Sequence, residues 1–234
     1  DQSDAMIGRI RLRHFGGIAL VCVFGCSESS GIVQVLWADE VIEAASDASL
    51  AVNGAFGLGR HQGGADVYSL TLDPEDALIV GFSGAVLRDG PGVDLAVFEN
   101  PFDVGERVDQ RFMDLVVVSV SADGVDFVTF PHEYTHDDPS TWSADPADWH
   151  GFAGKTPVLL NEDTNPVDPF DPALSGGDGF DFADLPAGDP VTEDVLAGGA
   201  VAVKLQSAAD FPTDPISNGA DIDAVYGRYL DLPN

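Results

Sequence analysis

The carboxylates beside two short apolar runs have the spacing of ligands for a hard cation. Asp94 and Glu99 flank the apolar residues 95–98, which predicts that they lie at opposite ends of one buried strand. Asp221 and Asp223 are two residues apart, which predicts that they share a strand face. Carboxylates this close repel each other unless a cation, an arginine or a proton intervenes. Calcium fits because it accepts about six to eight oxygens, including amide and backbone carbonyls, without strict geometry.

A glycine-rich segment adds two further acids to the candidate site. Residues 176–181 match the start of the calcium-binding β-roll repeat, G-G-x-G-x-D, and include Asp178 and Asp181. The match occurs once and β-rolls need stacked copies, so we interpret the segment as a single ligand-bearing loop. We therefore predict at least one calcium site, with these candidate ligands: Asp94, Glu99, Asn100, Asp178, Asp181, Asp221 and Asp223. The alternative is that the acids cap loops or pair with Arg88, Arg107, Arg111 or Arg228.

Residues 132–136 match the zinc-protease motif H-E-x-x-H, but their context disfavours that chemistry. The motif needs a long helix, whereas Pro131 and Pro139 bracket the segment and a strand-like run precedes it. The sequence also lacks a G-x-S-x-G elbow, a phosphate-binding loop and a dinucleotide fingerprint. We therefore assign no catalytic residue and do not predict an enzyme. A secreted hydrolase that uses loop carboxylates, as glycoside hydrolases do, stays open as the alternative.

Two tryptophans offer a different kind of binding surface. Trp142 and Trp149 lie in the long segment 131–195, which is rich in proline, aspartate and glycine. Indole rings stack on sugar rings, so these residues are candidates for ligand stacking. The alternative interpretation is that they pin the long segment onto the rest of the fold.

The charge of the chain limits its partners. Forty acidic and 10 basic residues give a formal net charge of −30. This charge repels nucleic acid and anionic membrane surfaces, so we expect no nucleic-acid partner. A solvated surface adapted to a saline habitat is the alternative explanation for the bulk of the charge. That alternative accounts for the total charge but not for the local spacing of the acids.

The first 30 residues have the pattern of a lipoprotein leader. Arg9, Arg11 and Arg13 precede the apolar run 15–24, which is too short to cross a bilayer. Residues 23–26, Val-Phe-Gly-Cys, resemble the bacterial lipobox, which implies lipidation of Cys26. We therefore predict a signal peptide over residues 1–25, a lipidated tether over 26–30 and a lipid-anchored protein at the outer membrane or cell surface. An ordinary signal peptide and a buried helix are the alternatives.

Short apolar runs between turn signals predict an all-β fold. Runs rich in Val, Phe and Leu recur at residues 32–36, 67–72, 77–82, 93–98, 112–120, 127–130, 200–205 and 222–229. Asp123-Gly124 between two of these runs is a hairpin signal. We predict a single antiparallel β-sandwich of jelly-roll type over residues 31–234. Within it, residues 131–195 are predicted to be loops folded over one end of the sandwich, where binding sites on β scaffolds usually lie.

Five blocks of sequence occur in an order that resembles a bacterial cell-surface protein and lipoprotein family. The blocks are GPGxDxxVFEN at 90–100, SxDGxxF at 121–127, AGK at 153–155, GGDxFDxAD at 176–184 and DxDAV at 221–225. The resemblance implies a surface location and a β-sandwich. Residues 116–130 also resemble a strand pair of discoidin-like, galactose-binding-like jelly rolls, which bind glycans or lipids and often hold calcium; this is an analogy of fold.

These observations favour a calcium-stabilised, cell-surface binding module. Its ligand would be a glycan, an envelope protein or a neighbouring cell. Besides a hydrolase, a purely structural envelope component is an alternative.

Overall fold

The computed structural model describes residues 36–232, which form mainly short antiparallel strands. The strands, β1 to β16, are Glu40–Glu43, Tyr68–Ser69, Leu78–Gly81, Val86–Leu87, Leu95–Phe98, Phe102–Val104, Arg107–Phe112, Val116–Ser121, Val128–Thr129, Glu133–Tyr134, Trp149–His150, Asp178–Phe180, Ala202–Ser207, Asp221–Ile222, Ala224–Gly227 and Leu230–Asp231. The α-helices are α1 (Pro172–Ser175) and α2 (Pro190–Gly198), and the 3-10 helices are Ser49–Val52, Pro146–Asp148 and Phe182–Asp184. The all-β prediction is confirmed. Within residues 36–232, the helices lack the length and apolar character that a membrane span needs.

The largest sheet has five strands in the order β1-β3-β13-β8-β9. Its longest pairing joins β13 to β8 over six residues, from Ala202 opposite Ser121 to Ser207 opposite Val116. The predicted hairpin at Asp123-Gly124 is confirmed, because β8 continues through it into the antiparallel strand β9. The Asp123 carboxylate stabilises this turn by accepting hydrogen bonds from the two backbone N–H groups of residues 125 and 126.

A three-stranded sheet, in the order β12-β5-β15, positions the acids of interest. Its central strand β5 is buried along its whole length, as expected for a continuous apolar run with strands on both sides. Asp94 precedes this strand and Glu99 follows it, and their exposed fractions are 0% and 3%. The prediction that these two acids lie at opposite ends of one buried strand is therefore confirmed.

The two sheets contribute side chains to one hydrophobic core. Val80, Val118 and Val203 of the five-stranded sheet belong to the same buried cluster as Val97 and Val225 of the three-stranded sheet. Burial of such aliphatic side chains is the main favourable term in folding. The shared core therefore fixes β5, and with it the acids at its two ends. The jelly-roll connectivity of a single sandwich stays a prediction.

The segment 131–195 was predicted to be loops folded over one end of the sandwich, but the structure differs from that prediction. It contains β10, β11, β12 and α1, α2 begins within it, and β12 pairs with β5 inside the three-stranded sheet. Gly179 allows this pairing next to Val93, because a Cβ at Gly179 would lie 2.9 Å from a Val93 methyl carbon. Phe180 then enters the core. Part of the segment is thus structural. The predicted leader, with Arg9, and Cys26, the predicted lipidation site, lie outside the described residues.

Candidate cation site

A turn before β5 fixes the carboxylate of Asp94. Gly90-Pro91-Gly92 reverses the chain, and Gly92 adopts a φ of 79°, which glycine reaches without strain. Asp94 Oδ1 then accepts a hydrogen bond from the backbone N–H of Gly90 at 2.8 Å. Asp94 Oδ2 accepts one from the backbone N–H of Phe182 at 2.7 Å. Each carboxylate oxygen keeps a further lone pair for a ligand.

Asp94 is the buried member of a cluster of three acids. Asp89, Asp94 and Asp181 each offer one carboxylate oxygen, and these oxygens lie within 4.8 Å of one another. Asp181 is held by its position at the start of a 3-10 helix, where its Oδ1 accepts from the backbone N–H of Ala183 at 2.9 Å. Because calcium–oxygen distances are about 2.3–2.6 Å, one calcium ion can contact all three acids. We call these three residues the aspartate triad.

The electrostatics of the triad favour a cation. Burial raises the pKa of Asp94 to about 6, against the lowering effect of its two backbone hydrogen bonds, and the charges of Asp181 and Asp89 raise it further. Burial penalises a charge and like charges repel, so the ionised triad is costly without a counter-charge. A divalent ion would supply that charge and lower the pKa of Asp94 again.

Arginine does not supply this counter-charge. Within residues 36–232, the ion pairs join Arg60 and Arg111 to Asp103, Arg88 to Asp231, Arg107 to Asp109, and His136 to Asp148. The Arg228 guanidinium lies over the rings of Phe170 and Tyr229. The arginine alternative therefore applies to other acids, and none of the predicted calcium ligands is in these pairs.

Asp178 lies near the triad in sequence but serves another purpose. Its Oδ2 accepts hydrogen bonds from the backbone N–H groups of Lys155 and Thr156 at 2.8 and 3.3 Å, and its Oδ1 accepts one from Thr156 Oγ1 at 2.9 Å. Burial nevertheless raises its pKa. The carboxylate thus holds the Gly154-Lys155-Thr156 turn against β12, and the structure does not bring it into the triad.

Asn100 and Asp223 likewise hold neighbouring chain segments. Asn100 pairs through its amide with the backbone of Gly64, by accepting at 2.5 Å and donating at 3.1 Å. Both oxygens of Asp223 accept from the backbone N–H of Phe56 at 3.0 and 3.1 Å. Burial raises the pKa of Asp223 to about 7. The structure therefore does not place either residue with the triad.

Glu99 and Asp221 form a separate group at the other end of β5. Glu99 Oε1 accepts from the backbone N–H of Asp221 at 3.0 Å. The Asp221 carboxylate accepts from Ser69 Oγ at 2.5 Å, whereas that of Asp223 contacts Phe56, so Asp221 and Asp223 do not form the expected carboxylate pair. The candidate ligands are thus divided between the two ends of the strand.

The tryptophans pack against each other and against the protein. Trp149 is 1% exposed, and its ring stacks on Tyr134 with centroids 3.8 Å apart. Its Nε1 donates to the backbone carbonyl of Ser143 at 2.9 Å, and the ring of Trp142 lies 5.0 Å away. Trp149 therefore has no open face for a sugar, which corrects its candidacy for ligand stacking and favours the pinning interpretation.

The H-E-x-x-H segment forms a strand where the zinc motif needs a helix. Glu133 and Tyr134 make up β10 and pair with β11. His132 Nδ1 lies 2.9 Å from the carbonyl of Phe130, and His136 Nδ1 lies 2.9 Å from the Asp148 carboxylate. The two imidazoles thus have separate partners.

Asp89 is the triad member that the sequence analysis missed. The sequence feature that could have identified it is the Gly90-Pro91-Gly92 turn between it and Asp94, because a tight reversal of the chain can bring residues five apart together.

No protein-family model, curated protein or solved structure matches this chain. The resemblance to surface lipoproteins and discoidin-like jelly rolls therefore stays a prediction from the sequence blocks.

Proposed function

We propose that this chain is a calcium-stabilised binding module displayed on a cell surface, and that it acts by binding rather than by catalysis. The observation that carries the proposal is the convergence of Asp89, Asp94 and Asp181 within 4.8 Å around a buried carboxylate. The surface location rests on the leader pattern that ends at Cys26.

Calcium in the triad would join two chain segments that are far apart in the sequence. Asp89 and Asp94 lie at the start of β5, and Asp181 follows β12. An ion that binds only the folded chain stabilises it by mass action, by about 2.7 kcal/mol at a hundredfold excess over Kd. The triad would thus hold the edge of the three-stranded sheet where the segment 131–195 joins it.

A cavity next to the triad supplies a place for the ligand. It has a volume of about 520 Å³, and its lining includes Asp181, Asp184, Lys155 and Thr156. This volume is within the usual range for small-molecule sites. Carboxylates accept hydrogen bonds from hydroxyl groups, and lysine and threonine donate to them, so the lining suits a hydroxyl-rich ligand such as a glycan. Asp181 belongs to both the triad and the cavity, which would make ligand binding dependent on calcium.

Thermal unfolding tests the calcium part of the proposal. We expect millimolar calcium to raise the melting temperature of the wild type relative to chelator, and Asp181→Asn to abolish most of that rise. Asp184→Asn is the matched control, because Asp184 is an exposed aspartate three residues away and outside the triad. Identical melting curves with calcium and with chelator would refute the proposal.

A glycan array with and without calcium tests the binding part. We expect calcium-dependent binding that Asp181→Asn removes. Turnover of chromogenic glycosides that is lost on Asp184→Ala would instead favour the hydrolase.

A further inference from the structure

One carboxylate oxygen of Glu99 is buried without a hydrogen-bond partner. Glu99 is 3% exposed, and its Oε1 accepts from the backbone N–H of Asp221, but its Oε2 has no partner within hydrogen-bond distance. An unpaired buried carboxylate oxygen is costly, so native proteins normally satisfy it with a donor, an ordered water or an ion.

The surroundings of Glu99 add negative charge. Burial raises the pKa of Glu99 well above its usual value, and the neighbouring charges of Asp114 and Asp221 raise it further. The pKa of Asp114 is also raised, first by burial and then by Asp221 and Asp214, against a hydrogen bond with Ser217. Within residues 36–232, the ion pairs do not include these acids. The group therefore lacks a protein counter-charge.

The backbone of Gly154 packs closely beside the unpaired oxygen. Gly154 adopts a φ of +84°, and a Cβ there would lie 2.3 Å from the backbone carbonyl oxygen of Asp114 and 3.4 Å from Glu99 Oε2. A side chain would not fit at this position, and both oxygens therefore pack against Gly154. A cavity of about 10 Å³, which has the size of one water or ion, is lined in part by Asp114 and Ser217.

We propose that Glu99 and Asp114 hold a second divalent cation, of the calcium class, at the opposite end of β5 from the aspartate triad. In the part of the chain that the structure describes, only the triad brings three acids within 4.8 Å. The second ion is therefore held by two acids, through Glu99 Oε2 and Asp114, and water completes its shell. Calcium tolerates such mixed, irregular oxygen shells. A proton on Glu99 would neutralise that residue alone, whereas a divalent ion offsets the neighbouring acids as well.

Calcium calorimetry on the full chain tests the second site independently of the triad. We expect about two calcium ions per wild-type chain, and about one for Glu99→Gln and for Asp181→Asn. Glu106→Gln is the matched control, because Glu106 is exposed, and it should keep both ions. Asp114→Asn should lose the same ion as Glu99→Gln, and it serves as the test if Glu99→Gln fails to give a folded circular dichroism spectrum.

The possible outcomes separate the two sites. One wild-type ion that Glu99→Gln keeps and Asp181→Asn loses would overturn the second site and leave the proposed function intact. One ion that Glu99→Gln loses and Asp181→Asn keeps would support the second site and count against the triad. Unchanged calcium binding with a higher melting temperature in Glu99→Gln would show that Glu99 carries a proton, which overturns this inference.

Discussion

Phe182 donates its backbone N–H to Asp94 Oδ2 at 2.7 Å, across 88 positions of sequence. The backbone of Asp94 also takes part in the sheet: its N–H donates to the Phe180 carbonyl at 2.9 Å, and its carbonyl accepts from the Arg228 N–H at 2.8 Å. Asp94 therefore connects segments next to all three strands of one sheet. A change in the charge of this carboxylate should therefore alter both the stability of the fold and the affinity for the proposed ion.

Asp94→Ala should lower the free energy of unfolding by about 2–4 kcal/mol in chelator. The change leaves the N–H groups of Phe182 and Gly90 without acceptors, and each lost acceptor costs about 1–3 kcal/mol. Asp94→Asn keeps one acceptor oxygen and should cost less. Urea unfolding measures both, with the exposed Asp184→Asn as the control. An Asp94→Ala variant as stable as the wild type would contradict a structural role for these hydrogen bonds.

Calcium affinity should fall as the pH drops through about 6. The pKa of Asp94 is raised to about 6, and a protonated carboxylic acid is a poor calcium ligand. For release of one proton on binding, the expected loss is about tenfold per pH unit below the pKa. Calorimetry at pH 7.5 and pH 5 measures this change, with ionic strength held constant. Equal affinities at the two pH values would show that Asp94 is not a ligand.

The free energy of unfolding in chelator should rise as the pH falls from about 8 to 5. Burial raises the pKa of Asp223 from 3.8 to about 7, so the folded chain binds this proton more tightly than the unfolded chain does. Protonation below the folded pKa therefore stabilises the fold, and the effect levels off near the unfolded pKa. Asp223→Asn should reduce this rise in the free energy of unfolding by about 1–3 kcal/mol between pH 8 and pH 5. Urea unfolding at several pH values measures it, and parallel curves for variant and wild type would rule out Asp223 as a source.

Gly154→Ala should destabilise the chain by about 1–3 kcal/mol more than Gly124→Ala. Both glycines have a positive φ, of 84° and 78°, so the backbone strain is similar. A Cβ at Gly154 would lie 2.3 Å from the Asp114 carbonyl oxygen, whereas a Cβ at Gly124 has no atom within 4 Å. Urea unfolding of the two variants isolates the steric part, and equal losses would show that the space beside Glu99 accommodates a side chain.

Local patterns predicted the elements better than the site. The ends of β5 were predictable because two acids flank its short apolar run, so that the strand begins after the first acid and ends before the second. β1 was not predicted, because its four residues are all exposed and its apolar residues do not alternate with its acids.

The composition of the site depends on contacts that no local pattern encodes. Asp178 and Asp181 belong to one glycine-rich segment, yet only Asp181 joins the triad, because Lys155 and Thr156 hydrogen-bond to Asp178. Asp89 enters the triad through a turn whose direction depends on tertiary structure. The spacing of the acids in the sequence could thus predict that acids cluster, but not which carboxylates form the triad.

A crystal structure of the full chain grown with saturating calcium tests the central claim most directly, through anomalous scattering from the ion. We predict a calcium peak at about 2.3–2.6 Å from one carboxylate oxygen each of Asp89, Asp94 and Asp181. Density for ordinary water, or no density, between these three carboxylates would contradict the account.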